Sequence, residues 1–391
     1  MLLHKISPVD YVDPWNKGYA QRMHMLTKSK TRVAYFYEEA NNSTFRYRAY
    51  NMVQVLNGAP EYGVSGGYFF LTDALHFDEI AKTADVLVIC RSRYCARLAA
   101  LVMKFRARGK RVLFDVDDLV FDTDYAHLIM DTLGVNLSQE QVLNDWFAMI
   151  SRMGQTLRLC DGAITTNAYL AGKIKEFSGL PVHVVPNFMN QEQLAVSSAV
   201  FEAKQHQAFQ SQGRKCFGYF SGSPSHQHDF AIVEHALATV LAERDDVEVA
   251  VVGYIEKGVL LSSFSERIKY FPFQDYVNLQ RLVGQVEFNL MPLQSNSFTD
   301  CKSELKYFEA AAVGTLSIAS PSFTYSRAIQ HDATGYLSKA HEWVDMMMHA
   351  LDRSVDYASM ADAARADALN KFGWQVQVPT ILQALGFSED S

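Results

Sequence analysis

VEFNLMPLQSNSFTDCKSELKYFEAAAVGTLSIAS, residues 286–320, holds two short apolar runs separated by a polar loop and a helix-compatible stretch. The runs VEFNLMPL (286–293) and TLSIAS (315–320) are short and almost wholly apolar, which suits parallel strands covered on both faces. ELKYFEAAAV (304–313) between them reads as a crossover helix, ended by Gly314. Strand, helix and parallel strand make a right-handed βαβ unit. The same alternation continues in both directions. The second half adds CFGYFS (from Cys216), VEVAVVG (from Val247), RIKYFPF (from Arg267) and GYLS (from Gly335). The first half offers RVAYFY (from Arg32), GGYFFL (from Gly66), DVLVIC (from Asp85), RVLFDV (from Arg111), GAITT (from Gly162) and VHVVP (from Val182). The reading is α/β: two doubly wound, Rossmann-like domains.

The domains are expected at 1–190 and 214–371. PNFMN (186–190) breaks regular structure, and the polar stretch 191–213 reads as a linker helix or an excursion. Residues 372–391 carry Trp374, Val376, Val378, Ile381, Leu382 and Leu385 at the spacing of an amphipathic helix that must pack on something.

Composition narrows the function. The chain has 391 residues, 49% apolar and 20% charged, which excludes disorder and fibrous repeats. Its net charge of −7 argues against a nucleic-acid partner. No window approaches the ~20 apolar residues of a membrane span. Charged residues and Pro interrupt any signal-peptide core in MLLHKISPVDYVDPW. Cys90, Cys95, Cys160, Cys216 and Cys301 are an odd count at loose spacings, as in a reduced cytosolic protein, with neither a disulfide framework nor a zinc cluster. The expected location is the cytoplasm.

In open parallel sheets ligands bind beyond the carboxyl ends of the strands. Ser303, Lys306 and Glu309 are spaced three apart, along one side of a helix that Ser303 can cap. A helix N-terminus favours phosphate, and Lys302 and Lys306 add positive charge there. Glu309 has the reach for the vicinal hydroxyls of a ribose. An ordinary capped crossover helix explains the same residues equally well.

Ser303-x-x-Lys306-x-x-Glu309, the Ala-rich turn, Gly314 and LSIAS together resemble the donor-site motif of bacterial glycosyltransferases of the GT-B fold, family 4 and its relatives. TTNAYLAGKIKEF (from Thr165), VVPNFMN (from Val184) and DATGYLSKAHEW (from Asp332) extend the resemblance over roughly 31–374. It implies two domains facing across a cleft and a C-terminal helix crossing back to the first. It also implies a nucleotide-sugar held by the second domain, with Glu309 on its ribose. A second Glu, at the sugar ring in many members, falls here on Cys301, so the sugar-contacting carboxylate is Asp300 or absent.

Four further clusters are candidates. In FDVDDLVFD (114–122), Asp115 reads as a buried partner of Arg91 or Arg93, while Asp117 and Asp118 project into the cleft. Either could take the proton of an acceptor hydroxyl. The rivals are a structural acid cluster and an Asp-x-Asp metal site. In YFSGSPSHQHDF (219–230), Gly222 permits close backbone approach, and Ser223 and His226 could contact diphosphate or sugar. Arg46 and Arg48, after the first strand, could bind an anionic acceptor or a phosphate. CRSRYCARLAALVMKFRARGKR (90–111) carries eight cations and no acid. Arg97, Lys104 and Arg108 share one helical face that could approach anionic lipid, or simply form the outer face of a crossover helix.

The expected function is a metal-independent, cofactor-free glycosyltransferase acting on a glycan or lipid-linked acceptor, as in surface polysaccharide or lipopolysaccharide synthesis. A GT-B epimerase and a catalytically degenerate sugar- or nucleotide-binding protein are the alternatives.

Overall fold

The computed structural model describes residues 7–210, 213–222, 227–254 and 260–387. All twelve expected strands are present. The first half contains β1 (Thr31–Phe36), β2 (Val64–Phe69), β3 (Val86–Cys90), β4 (Arg111–Val116), β5 (Gly162–Thr165) and β6 (Val182–Val184). The second contains β7 (Lys215–Ser221), β8 (Val247–Gly253), β9 (Ile268–Phe271), β10 (Phe288–Met291), β11 (Leu316–Ala319) and β12 (Tyr336–Leu337).

Each set forms one six-stranded parallel sheet, ordered β2-β1-β3-β4-β5-β6 and β12-β11-β10-β7-β8-β9. The chain leaves β1 toward one edge and returns to the other side at β3, so the first sheet has its crevice between those two carboxyl ends. In the second sheet the crevice lies between β7 and β10 by the same reasoning. Both faces of the first sheet are covered: Ala34 and Phe36 enter one apolar core while Val33 and Tyr35 enter another. That double burial is why these strands read as unbroken apolar runs. Gly253 closes β8 with φ +98°, and a Cβ there would come within 1.9 Å of the Ser221 carbonyl oxygen, so only glycine lets β8 run beside the end of β7.

The segment after PNFMN is a helix, Gln191–His206, whose Val200 and Phe201 join the core of the second sheet. Its Lys204 is wholly buried and donates to the Gly314 carbonyl and to Thr315 Oγ1, at 3.0 and 2.7 Å. The C-terminal helix Val378–Leu385 crosses back as expected. Val378, Ile381, Leu382 and Leu385 pack with Val33 and Tyr35 of the first sheet, and Arg111 donates to the Leu385 carbonyl. The two crossings run side by side, with Met189 bridging to Gly373 in parallel.

Candidate active site

Two acids, an arginine and a threonine meet at the crevice of the first sheet. Asp117 and Asp118 directly follow β4, Arg91 directly follows β3, and Thr44 opens the helical segment after β1. Arg91 Nη1 donates to Asp117 Oδ1 at 3.0 Å, to Asp118 Oδ2 at 2.9 Å and to Thr44 Oγ1 at 3.1 Å. Thr44 in turn donates to Asp117 Oδ2 at 2.9 Å. The Asp117 and Asp118 side chains remain 12% and 22% exposed, so both still reach the cleft.

The neighbouring acid differs from expectation. Asp115 is fully buried and takes a two-pronged ion pair from Arg48, at 2.7 and 3.0 Å, not from Arg91 or Arg93. Arg93 instead clamps Glu38. Arg48 also donates to the Val185 carbonyl and to Asn187 Oδ1. It is therefore no acceptor or phosphate ligand. The helical turn Arg46–Tyr50 aims it under the sheet, where a buried carboxylate needs a cation.

The second sheet brings the motif helix opposite. That helix starts at Leu305, and its cap residue is Glu304, without a side-chain cap bond. Ser303 is not the cap; its hydroxyl accepts from Asn187 Nδ2 at 3.0 Å, across the two halves. Lys302 Nζ lies 3.8 Å from Asp118 Oδ1 and 4.6 Å from the Phe298 ring centre. Lys306 is half-buried with Nζ 5.3 Å from the Tyr219 ring centre. Burial pulls its ammonium down to about 8, with Asp229 opposing.

Glu309 is not open on the helix side that carries Lys306. It is buried, and its Oε1 accepts from Tyr47 Oη at 2.5 Å, Gln193 Nε2 at 2.9 Å and Arg46 Nη2 at 3.5 Å. Arg46 is correspondingly no anion ligand, since its guanidinium is buried between the Tyr47 and Tyr276 rings, 4.0 and 4.4 Å from their centres. It donates from Nε to the Asn42 carbonyl at 2.9 Å and from Nη1 to Gln193 Oε1 at 3.2 Å, and these bonds, the two aromatic faces and Glu309 occupy it inside the protein.

Asp300 Oδ1 accepts from the Phe323 N–H at 2.8 Å, bracing the loop after β11. It also lines a cavity of about 270 Å³ with Gln294, Ser320, Ser322 and Lys339. Gly222 is exposed directly after β7, with open space where a Cβ would stand. Ser223 and His226 lie outside the described residues. On the surface, Lys104 and Arg108 both pair with Asp78, at 3.5 and 2.8 Å, and Arg97 leans toward the Leu71 carbonyl. Lys82 and Arg108 hold the Asp78 carboxyl down at about 2. These pairs suit the outer face of a crossover helix. Among the described residues no three His, Cys, Asp or Glu side chains are grouped to hold a metal ion.

Several residues of the site are not singled out by the sequence. Thr44, Tyr47, Asn187 and Gln193 have ordinary polar identities and partners more than 70 positions away. Tyr254 and Phe273 follow β8 and β9, are half-exposed, and pair with ring centres 5.4 Å apart.

No family model matches the chain, and no curated protein matches it by sequence. Solved structures do match its fold. HepE of Anabaena, solved in complex with UDP, is 12% identical with a TM-score of 0.60, over 90% of this chain and 99% of that one. Sucrose-phosphate synthase of Thermosynechococcus elongatus is 12% identical with a TM-score of 0.61, over 90% and 97%. A glycosyltransferase of Rickettsia africae is 12% identical with a TM-score of 0.60, over 92% and 99%. The chain has the two-domain GT-B fold of these proteins.

Proposed function

We propose that this chain is a glycosyltransferase that moves a sugar from a nucleoside diphosphate to a hydroxyl of an acceptor. The observation that carries this reading is the meeting of Lys302, from the second sheet's motif, with Asp118, after β4 of the first, at 3.8 Å. Chemistry between a donor on one half and an acceptor on the other requires both crevices to open on one cleft. Lys302, Lys306 and the exposed backbone at Gly222 would offset the charge that develops on the leaving diphosphate. Asp117, with Asp118 in reserve, would take the acceptor's proton. Glu309 would contact the ribose through Oε2, because Oε1 already accepts three hydrogen bonds. The exposed Tyr254–Phe273 pair offers flat faces on which a base could stack. HepE has been solved with UDP and with UDP-glucose, which makes a UDP-sugar the first donor to try. The acceptor proposed is a glycan or lipid-linked glycan, as in surface polysaccharide synthesis.

One observation favours a second reading, nucleotide binding without transfer. Glu309 is held by three partners, and the position eight residues before it is the buried Cys301. A panel of nucleotide-sugars separates the two. Release of nucleoside diphosphate in the presence of a hydroxyl acceptor supports the transferase, whereas binding without release supports the alternative.

The state of Lys306 gives a pH test. Its folded pKa of about 8 lies below the usual lysine value of about 10.4, so it is charged below pH 8 and loses its proton as pH rises. A bound diphosphate favours the charged form. Nucleoside diphosphate affinity is therefore expected to fall as pH rises above 8, by up to roughly tenfold per unit, apart from the ligand's own phosphate titration at about pH 6. Calorimetry across pH 6–9.5 reads this slope. The slope should vanish in Lys306→Met, and a slope unchanged in that variant would remove Lys306 from the site.

A further inference from the structure

We propose that Arg91 is the positioning residue of the reaction: it draws Asp117 and Asp118 together and fixes the carboxylate that receives the acceptor's proton. This rests on the transferase reading above. Three observations carry it.

The first is backbone geometry. Arg91 sits at φ +33°, on the positive side that non-glycine residues disfavour, at the carboxyl end of β3 beside the sheet's crevice. Such conformations persist where the surroundings over-determine them, and they gather at functional sites. Here the Arg91 N–H is bound to the Asp115 carbonyl at 2.7 Å, so β4 itself holds the unusual turn.

The second is the sharing of one nitrogen. Asp117 and Asp118 lie in the bend that follows β4, and the two acids stay adjacent there. Both turn to the single nitrogen Arg91 Nη1, at 3.0 and 2.9 Å. Two carboxylates brought together repel unless a cation lies between them. Their charge correspondingly favours the protonated form of Arg91.

The third is the fixing of Asp117 at both oxygens, Oδ1 by Arg91 and Oδ2 by Thr44. Each carboxylate oxygen keeps a further acceptor site, so the clamp orients Asp117 without consuming its capacity to take a proton. Arg91 touches no substrate in this scheme. It acts through Asp117 and Asp118, and a lysine offers only a point charge where the guanidinium offers a planar fork.

The test is steady-state kinetics of R91M and R91K, with UDP-glucose or whichever nucleotide-sugar the wild-type protein turns over. R91M is expected to lose about 10²-fold in kcat, as a misplaced catalytic group does, while its donor KM stays at the wild-type value. R91K should recover part of the lost kcat, again with unchanged donor KM. A merely structural ion pair would show wild-type kcat in whatever protein remains folded. R91M at wild-type kcat, or a loss confined to donor KM, overturns the proposal. Should R91M fail to fold, R91K decides alone: wild-type kcat overturns the proposal, and reduced kcat at unchanged donor KM supports it. Failure of the underlying reading is seen separately. A wild-type protein that turns over no nucleotide-sugar overturns the transferase assignment and the role of Arg91 with it.

Discussion

Asp117→Asn is expected to lower turnover by ~10²–10⁴-fold, the usual worth of a general base, with donor affinity unchanged. The geometry makes this substitution a clean one. Asp117 is held through Oδ1 by Arg91 and through Oδ2 by Thr44. Asparagine keeps the shape and one of these acceptors, and loses the charge and the basicity. The donor groups Lys302 and Lys306 belong to the other half, and among the described residues neither forms an ion pair with Asp117. Acceptor-dependent release of nucleoside diphosphate, with nucleotide binding measured in parallel, checks both parts. Asp118→Asn should cost less, since Asp118 also faces Lys302 at 3.8 Å and its loss acts partly on that lysine. Parental rates in both variants would make the pair structural and return catalysis to another group.

The largest effect on stability is expected from Arg48→Met. Arg48 and Asp115 are both fully buried, and their ion pair joins the helical turn after β1 to the end of β4. Removing the cation leaves Asp115 unpaired in the interior, where burial already lifts its pKa to about 6 with Arg48 in place, so the acid must take up a proton or stay as a bare charge; breaking such a pair typically costs ~3–5 kcal/mol. Asn187 loses a donor in the same step, and Asn187 is what reaches across to Ser303. Denaturant unfolding measures the loss. Replacing both partners, Arg48→Met with Asp115→Leu, should recover much of it, because no bare charge then remains. A single variant within ~1 kcal/mol of the parent would mean that water or another cation reaches Asp115.

The sheets were legible because parallel strands covered on both faces have no polar side to disguise them. VLVIC at β3 and FNLM at β10 could be little else, and the short crossovers left few topologies open. The last helix was legible as an apolar stripe; that it crosses back to the first domain came only from the resemblance, and its place beside Val33 and Tyr35 only from the structure. The site was read less well, for a physical reason. Asp117, Asp118 and Lys302 stood out because charge at the end of a buried strand or beside a crossover helix needs an explanation. Which cation answers which acid is decided by distance in space. Arg48 lies 67 positions from Asp115, nothing local marks it, and Arg91 looked equally suitable until its backbone turned it toward Asp117. Ser303 misled in a similar way, since a serine before a helix fits a cap, yet the helix begins two residues later and the hydroxyl serves Asn187. Glu309 kept the expected helix position but faces Tyr47 and Gln193, partners that the helix spacing could not show.

The most direct test of the central claim is a crystal structure of the protein soaked with UDP or another nucleoside diphosphate that it binds. The account predicts the diphosphate in the cleft between the two sheets, with Lys302 or Lys306 Nζ within ~3.2 Å of a phosphate oxygen and Asp117 facing the space beyond it. A nucleotide seated outside that cleft, or on the far side of the second sheet from Lys306, would contradict it.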